Sequence, residues 1–174
     1  MFTSPIKNLK ALGLREHDIV VDLGAGTGHY SIAAGELLPN GKIYAIEIVK
    51  DYLTTIKNKV KDAHLNNVHI IWGNIEKKGG TKMKDHVADA VILSNVLFQV
   101  ESKDALIEEA RRILKKGGRA LLVDWSDVAS SVGVSFEKVV NKDKALEMFQ
   151  KKGFIKERDI DAGAHHYGMI LVKQ

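Results

Sequence analysis

The segment Val20-Val21-Asp22-Leu23-Gly24-Ala25-Gly26-Thr27-Gly28 constrains this chain more than any other. An apolar, β-branched run leads straight into three closely spaced glycines, and apolar residues at helical spacing follow. Glycine lets the backbone turn sharply and lets a ligand approach the main chain with no Cβ in the way. The helix beyond offers unpaired N–H groups at its N-terminus. Strand, glycine turn and helix in that order make the opening unit of an α/β sheet with a ligand crevice at the strand's carboxyl end.

The rest of the chain continues the alternation. Runs at 19–23, 42–47, 68–72, 88–93 and 119–124 read as strands; Ala88–Leu93 is apolar enough to be central and buried on both faces. Segments 5–13, 28–38, 51–63, 103–115 and 142–152 carry helical period, the third with Tyr52, Leu53, Ile56, Val60 and Ala63 on one face. Residues 75–86 are polar and broken by Gly79-Gly80, a loop with room for one helical turn, and Gly117-Gly118 stops the fourth helix. The small, polar residues 126–135 read as a flexible loop. Strands at 154–160 and 166–173 close the chain, and the short loop between them permits a hairpin but no parallel crossover. The pattern predicts one α/β domain over 1–174, a mostly parallel, doubly wound sheet with helices on both faces.

Composition narrows the chemistry. There is no cysteine, so disulfides, thiol nucleophiles and thiolate metal sites are excluded, and a cytoplasmic location is the natural reading. No apolar stretch reaches the length of a membrane span, and Met1–Leu9 lacks a signal pattern. The net charge of +4 raises the question of nucleic acid, but acids are interleaved with the lysines as on a solvated surface. His165 and His166 are adjacent on a strand and point to opposite faces, so they do not chelate one metal together; no metal site is expected.

The acids around the glycine turn decide which ligand it suits. A dinucleotide fingerprint reads G-x-G-x-x-G. Here Gly24, Gly26 and Gly28 give G-x-G-x-G, and His29 stands at the place of the last glycine. Asp22, just before the loop, would repel a pyrophosphate but suits a ligand with a cationic amino group, such as S-adenosylmethionine. Glu47, ending the second strand, can accept both hydroxyls of a ribose. Past the third strand, Gly73-Asn74-Ile75 offers an amide for an adenine amino group, with Ile48 and Ile75 as apolar walls; Asn74 reads equally well as a turn residue. His29 and Tyr30 flank the place of the methionine part, Tyr30 being equally a packing residue.

Taken together, Val20–Ser31, Lys42–Glu47, Gly73-Asn74, Ala88–Asn95 and Leu114–Gly118 before Arg119–Asp124 resemble the motifs of the class I S-adenosylmethionine-dependent methyltransferases, over roughly residues 15–125. The resemblance implies a Rossmann-like seven-stranded sheet of order 3-2-1-4-5-7-6 with strand seven antiparallel. It implies a cofactor site built from Asp22, Gly24, Ala25, Gly26, Gly28 and Tyr30, with Glu47, Ile48, Gly73, Asn74 and Ile75, and with Ser94 and Asn95 after the fourth strand. The product would be S-adenosylhomocysteine. Within the class the pattern is most similar to the ubiquinone, menaquinone and arsenite methyltransferase branch. Arsenite methylation needs cysteines that this chain lacks. Residues 1–17 read as a short helical segment in place of the fuller lid of small-molecule relatives, which leaves room for a large substrate or a lid from a partner chain.

The acceptor must meet residues after the fourth and fifth strands, Ser94, Asn95, Phe98, Asp124 and Trp125, joined by His165, His166 and Tyr167 from the last hairpin. Asp124 is the first candidate for a base or substrate-orienting acid, its alternative being a strand-end acid that caps a loop. His166 is the second candidate, as a proton acceptor near the methyl. Ser94-Asn95-Val96-Leu97 lacks the prolines of the amino methyltransferases that act on adenine, cytosine or glutamine. A small molecule methylated on oxygen or carbon is therefore the favoured acceptor. Protein or RNA is the second reading, and a non-catalytic S-adenosylmethionine- or nucleotide-binding module the third; monomer and homodimer both fit.

Overall fold

A computed structural model describes residues 4–126 and 139–174. The chain order is α1 (Pro5–Leu12), β1 (Ile19–Leu23), α2 (His29–Leu37), β2 (Lys42–Glu47), α3 (Lys50–Asp62), β3 (Val68–Trp72), β4 (Ala88–Ser94), α4 (Lys103–Ile113), β5 (Leu114–Trp125), α5 (Lys142–Lys151), β6 (Phe154–Ile160) and β7 (His166–Lys173). The strands form one sheet in the order β3-β2-β1-β4-β5-β7-β6. β7 runs antiparallel to both β5 and β6, and the other pairings are parallel. This is the order and the reversed strand that the sequence motifs imply.

Period-two alternation sorts the sheet's side chains into two cores. Val21, Leu23, Val91, Leu93, Ala120 and Leu122 face α4 and α5, where Leu106, Ile113 and Phe149 pack on them. Val20, Ala90, Ile92, Leu121 and Val123 face α1 and α2, against Leu9, Leu12, Ala33 and Ala34. Asp22 shares the α2 face by the same count, and that register brings it to Ser31. Local signals set the helix ends. Ser4 and Pro5 open α1, and Gly13 closes it in the left-handed conformation at φ 70°. Ser102 and Asn141 cap α4 and α5.

Three details differ from the expectation. Helix α4 ends at Ile113, before the Gly117-Gly118 stop, because Leu114 already pairs with Ala88 in the sheet; Lys115–Gly118 then bulge out until Arg119 pairs with Ala90. The 75–86 segment forms turns with no helix. It is pinned from α4: Glu109 accepts hydrogen bonds from the Gly79 N–H (2.9 Å) and the Thr81 hydroxyl (2.6 Å), while Arg112 holds both Glu109 and the Met83 carbonyl. The apolar face of α3 is only partly used, for Ile56 is buried and Tyr52 is 42% exposed at the edge of the sheet. The loop expected over 126–135 lies, from residue 127 on, outside the described residues. Among the described residues no helix is long and apolar enough to cross a membrane.

Candidate functional site

Two adjoining cavities open at the carboxyl ends of β1, β2 and β4, on either side of the glycine loop. The first, about 480 Å³, is lined by Asp22, Gly24–Thr27, His29, Tyr30, Ser94, Asn95 and Gln99, with Pro5 of α1 at its edge. The second, about 340 Å³, is lined by Gly24, Gly26, Thr27, Ile46–Val49, Tyr52, Gly73–Glu76, Val96, Gln99 and Val100. Gly24, Gly26, Thr27 and Gln99 belong to both, so the loop is the sill between two ends of one groove.

Gly24, Gly26 and Gly28 have φ of 74°, 54° and 82°, which only glycine adopts at no steric cost. The loop folds over β2, with the Gly24 and Ala25 N–H groups both donating to the Ile46 carbonyl at 3.0 Å. The Gly26 N–H donates to Glu47 Oε2 at 2.8 Å, and the Gly28 N–H to the Ala25 carbonyl at 2.8 Å. A phosphate cradle needs such N–H groups aimed at the ligand. In this loop these four are turned inward, and two carboxylates stand beside it.

Asp22 is 2% exposed and accepts a hydrogen bond from the Ser31 hydroxyl at 2.6 Å. Burial, helped by the nearby charge of Glu47 and opposed by Ser31, pushes its carboxyl up to about 6. A buried acid held so high favours a cationic neighbour. Because the shift is upward from 3.8, the proton binds the folded chain more tightly. This group therefore stabilises the ligand-free fold at low pH and loses that contribution as pH rises through about 6. His29, beside it, titrates below the usual histidine range, because of burial and then the charge of Lys59. It thus adds little competing positive charge at neutral pH.

Glu47 serves the second cavity. Oε1 accepts from the Ile48 and Val49 N–H groups at 2.8 and 2.9 Å, and Oε2 from Gly26. Three N–H groups fix the carboxylate without exhausting its roughly four lone-pair directions. Asn74 is the turn residue of the alternative reading as well as a lining residue: its Oδ1 accepts from the Glu76 N–H at 2.8 Å. Ile48 and Ile75 line the same cavity as its apolar walls. Tyr30 lines the first cavity while its ring packs in the α1–α2 core and its hydroxyl accepts from Asn8 Nδ2 at 2.7 Å.

The base role expected for Asp124 is not supported by its geometry. The residue is 1% exposed and lines neither cavity. Its Oδ2 accepts from the Leu97 N–H and its Oδ1 from the Trp125 N–H, both at 2.9 Å. It is a strand-end acid that fixes the turn after β4, and burial lifts its carboxyl to about 6. Asp124→Ala is expected to lower Tm while leaving S-adenosylmethionine affinity within a few-fold, measured by calorimetry. His166 is also off both linings, although its Nε2 lies 3.0 Å from Asn95 Oδ1 and its ring against Trp125, centroids 4.1 Å apart. Tyr167 is buried and donates its hydroxyl to the Val140 carbonyl; His165 sits exposed at the hairpin turn. Phe98 is half-buried and lines neither cavity. Among the described residues no group of three histidines or acids is placed to hold a metal.

Sequence reasoning missed Gln99, which lines both cavities and donates to the Asn95 carbonyl at 2.6 Å. It also missed Thr27, Val96 and Val100. The last two and Gln99 lie on one turn, with the Gln99 and Val100 N–H groups bonded to the Val96 carbonyl. The signal available was their place directly after the fourth strand.

Residues 14–157 match the methyltransferase domain family. Curated relatives include the demethylmenaquinone methyltransferase of Geobacillus sp. (strain WCH70), 27% identical over 119 residues, 68% of this chain and 50% of that protein. The ubiquinone/menaquinone biosynthesis C-methyltransferase of Pasteurella multocida is 30% identical over 116 residues, 66% of this chain and 42% of its own length. The chain spans about half the length of the curated relatives it matches. In fold it is similar to a SAM-dependent methyltransferase from Aquifex aeolicus, with TM-score 0.89 and 22% identity, covering 99% of this chain and 91% of that one. Sheet order, inward-turned glycine loop, paired acids and a match over most of its length together show that this chain belongs to the methyltransferase domain family, of the class I, S-adenosylmethionine-dependent kind.

Proposed function

We propose that this chain transfers a methyl group from S-adenosylmethionine to a small-molecule acceptor, on oxygen or carbon, and works in the cytoplasm. The observation that carries the cofactor assignment is the loop's own hydrogen bonding: the N–H groups of Gly24, Ala25, Gly26 and Gly28 are spent on Ile46, Ala25 and Glu47, and the ligand side offers acids. Asp22 takes the ammonium of the methionine part in the first cavity. Glu47 takes the ribose diol, and Ile48, Ile75 and Asn74 enclose the adenine in the second. The acceptor enters from the Ser94–Asn95 side of the first cavity. When bound, S-adenosylmethionine supplies a sulfonium methyl open to in-line displacement, so the protein's task is largely to hold the acceptor close and aligned.

The acceptor class is supported by the curated relatives, whose names place them in quinone biosynthesis. It is supported too by the lack of prolines after β4. Transfer of labelled methyl into a fractionated cell extract tests it: label in the small-molecule fraction is expected, and label only in protein or RNA refutes it.

The Asp22 assignment has its own signature. Binding an ammonium requires the ionised carboxylate, so the acid must lose its proton before the ligand is held. S-adenosylmethionine affinity is expected to be flat above pH 7 and to fall about tenfold per pH unit below about 6. Calorimetry in matched buffers from pH 5 to 8 checks this, and Asp22→Asn should remove the dependence along with most of the affinity. A pH-independent affinity in the native chain would place the ammonium elsewhere.

A further inference from the structure

Helix α3 braces the glycine loop from behind. Ile56 lies so close to Gly28 that a Cβ there would meet its side chain. Three residues further on, Lys59 reaches the same loop, and its Nζ donates to the Thr27 carbonyl at 2.8 Å. Residues three apart on a helix are neighbours on one face, so the two contacts act together. Thr27 is where such a brace counts. It stands between two left-handed glycines, Gly26 at φ 54° and Gly28 at φ 82°, the residue type with the widest backbone freedom. It also lines both cavities. The ties at Gly24, Ala25 and Gly26 run to the end of β2, and Gly28 bonds back to Ala25. The Thr27 carbonyl is tied from α3.

A third cavity, about 600 Å³, lies between α1, α2 and α3, and Lys59 lines it together with Glu36 and Asp62. Among the described residues Lys59 nevertheless forms no ion pair; its ammonium is spent on a neutral carbonyl. That charge stands where α2 begins, against the sense of that helix's dipole. A lysine in the last turn of α3 does suit the dipole of α3, but Lys61 fills that role as well, from an exposed position. Helix stability therefore does not account for the bond to Thr27.

We propose that Lys59 is a positioning residue for the cofactor: it fixes the Thr27 peptide, and with it the sill between the two cavities, in the shape that receives S-adenosylmethionine. This rests on the reading that the groove takes that cofactor. Lys59 lines neither of the two cavities and acts through the loop. A loop held in its binding shape beforehand takes the ligand more tightly, because less ordering remains to be done. The same charge marks its place on His29. The charged groups around that ring are Lys59 and Asp62 of α3, Glu36 of its own helix and Asp22 of β1. Burial first, and then Lys59, hold His29 below the usual histidine range.

The test uses the full chain at neutral pH, with S-adenosylhomocysteine as the probe. Lys59→Met keeps the apolar stem and removes the charge and the donor. Calorimetry is expected to show affinity lowered about tenfold. Lys61→Met removes the same charge two positions along the helix and should leave affinity within about twofold. Lys59→Arg, which keeps charge and donor, should restore it to within about threefold. Without any ligand, the Gly26 and Gly28 amides should exchange with solvent about fivefold faster in Lys59→Met and at the native rate in Lys61→Met. His29 should titrate nearer the ordinary histidine value in Lys59→Met but not in Lys59→Arg. Should Lys59→Met fail to fold, Lys59→Gln, one atom too short to reach, carries the same expectations. Native affinity in the neutral variant, an equal loss in Lys61→Met, no recovery in Lys59→Arg, or unchanged exchange at Gly26 and Gly28 overturns the inference. Exchange is read on the free chain, so failure of the native chain to bind S-adenosylhomocysteine is visible separately and counts against the cofactor reading.

Discussion

Glu47→Ala is expected to weaken S-adenosylmethionine binding by about two orders of magnitude or more. The carboxylate does two jobs at once. It receives the Gly26, Ile48 and Val49 N–H groups, which sets the glycine loop against the end of β2, and the residue lines the second cavity. Hydrogen bonds to a charged acceptor contribute about 1.5–3 kcal/mol each. On the proposed assignment of the ribose diol to Glu47, losing those contacts alone, at about 3 kcal/mol, lowers affinity roughly 100-fold. Loosening the loop adds to the loss, because the three donors at the sill are left without their acceptor. Glu47→Gln is expected to fail almost as badly, since its NH₂ must face one of those N–H groups. Calorimetry with S-adenosylmethionine and S-adenosylhomocysteine reads both variants. Native affinity in Glu47→Ala would mean the ribose is not held at the end of β2.

The second large effect is on stability. Gly28→Ala is expected to cost about 3 kcal/mol and to lower Tm by about 6–12 °C in a chain of this size. Two penalties add. Gly28 sits at φ 82°, where a side chain is strained whatever the space around it. Its Cβ would also stand 2.9 Å from Cγ1 of Ile56, the fully buried residue of α3, which has little room to withdraw. Trimming the obstacle in Gly28→Ala/Ile56→Ala, which removes Cγ1 and Cγ2 and leaves only Cβ at 3.5 Å, should recover the steric share and leave the backbone share, a non-additivity that a double-mutant cycle measures. Gly26 gives the contrast. A Cβ there meets nothing within 4 Å and would project beside both cavities. Gly26→Ala should therefore damage ligand affinity more than thermal stability. Equal Tm losses in the two variants would show that the left-handed backbone alone, and not the contact with Ile56, sets the cost at Gly28.

Much of the site was legible from local pattern. Asp22 and Glu47 stand at the ends of apolar runs, and period two fixes which face each residue takes once the strand is recognised. The glycine spacing separated this loop from a dinucleotide loop, and the inward hydrogen bonds to Ile46 and Glu47 supply the physical reason. Asp124 was legible as an acid at a strand end, but not as one buried away from both cavities. Only packing decides that it sits 1% exposed, accepting from the Leu97 and Trp125 N–H groups. The pinning of residues 79–83 by Glu109 and Arg112 was equally hidden, because it depends on how a loop lies across a helix.

By itself, then, the sequence determined the strand–helix alternation, the absence of a parallel crossover between the last two strands and the identity of the acids beside the glycine turn. These follow from hydrophobic period and turn chemistry, which act between near neighbours in the chain. The tertiary structure alone decided which acids line a cavity and which one is buried away from both. It also decided that Gln99 bridges two cavities and that His166, 71 positions away, reaches Asn95. Such pairings depend on strand register and loop path, which a one-dimensional pattern does not carry.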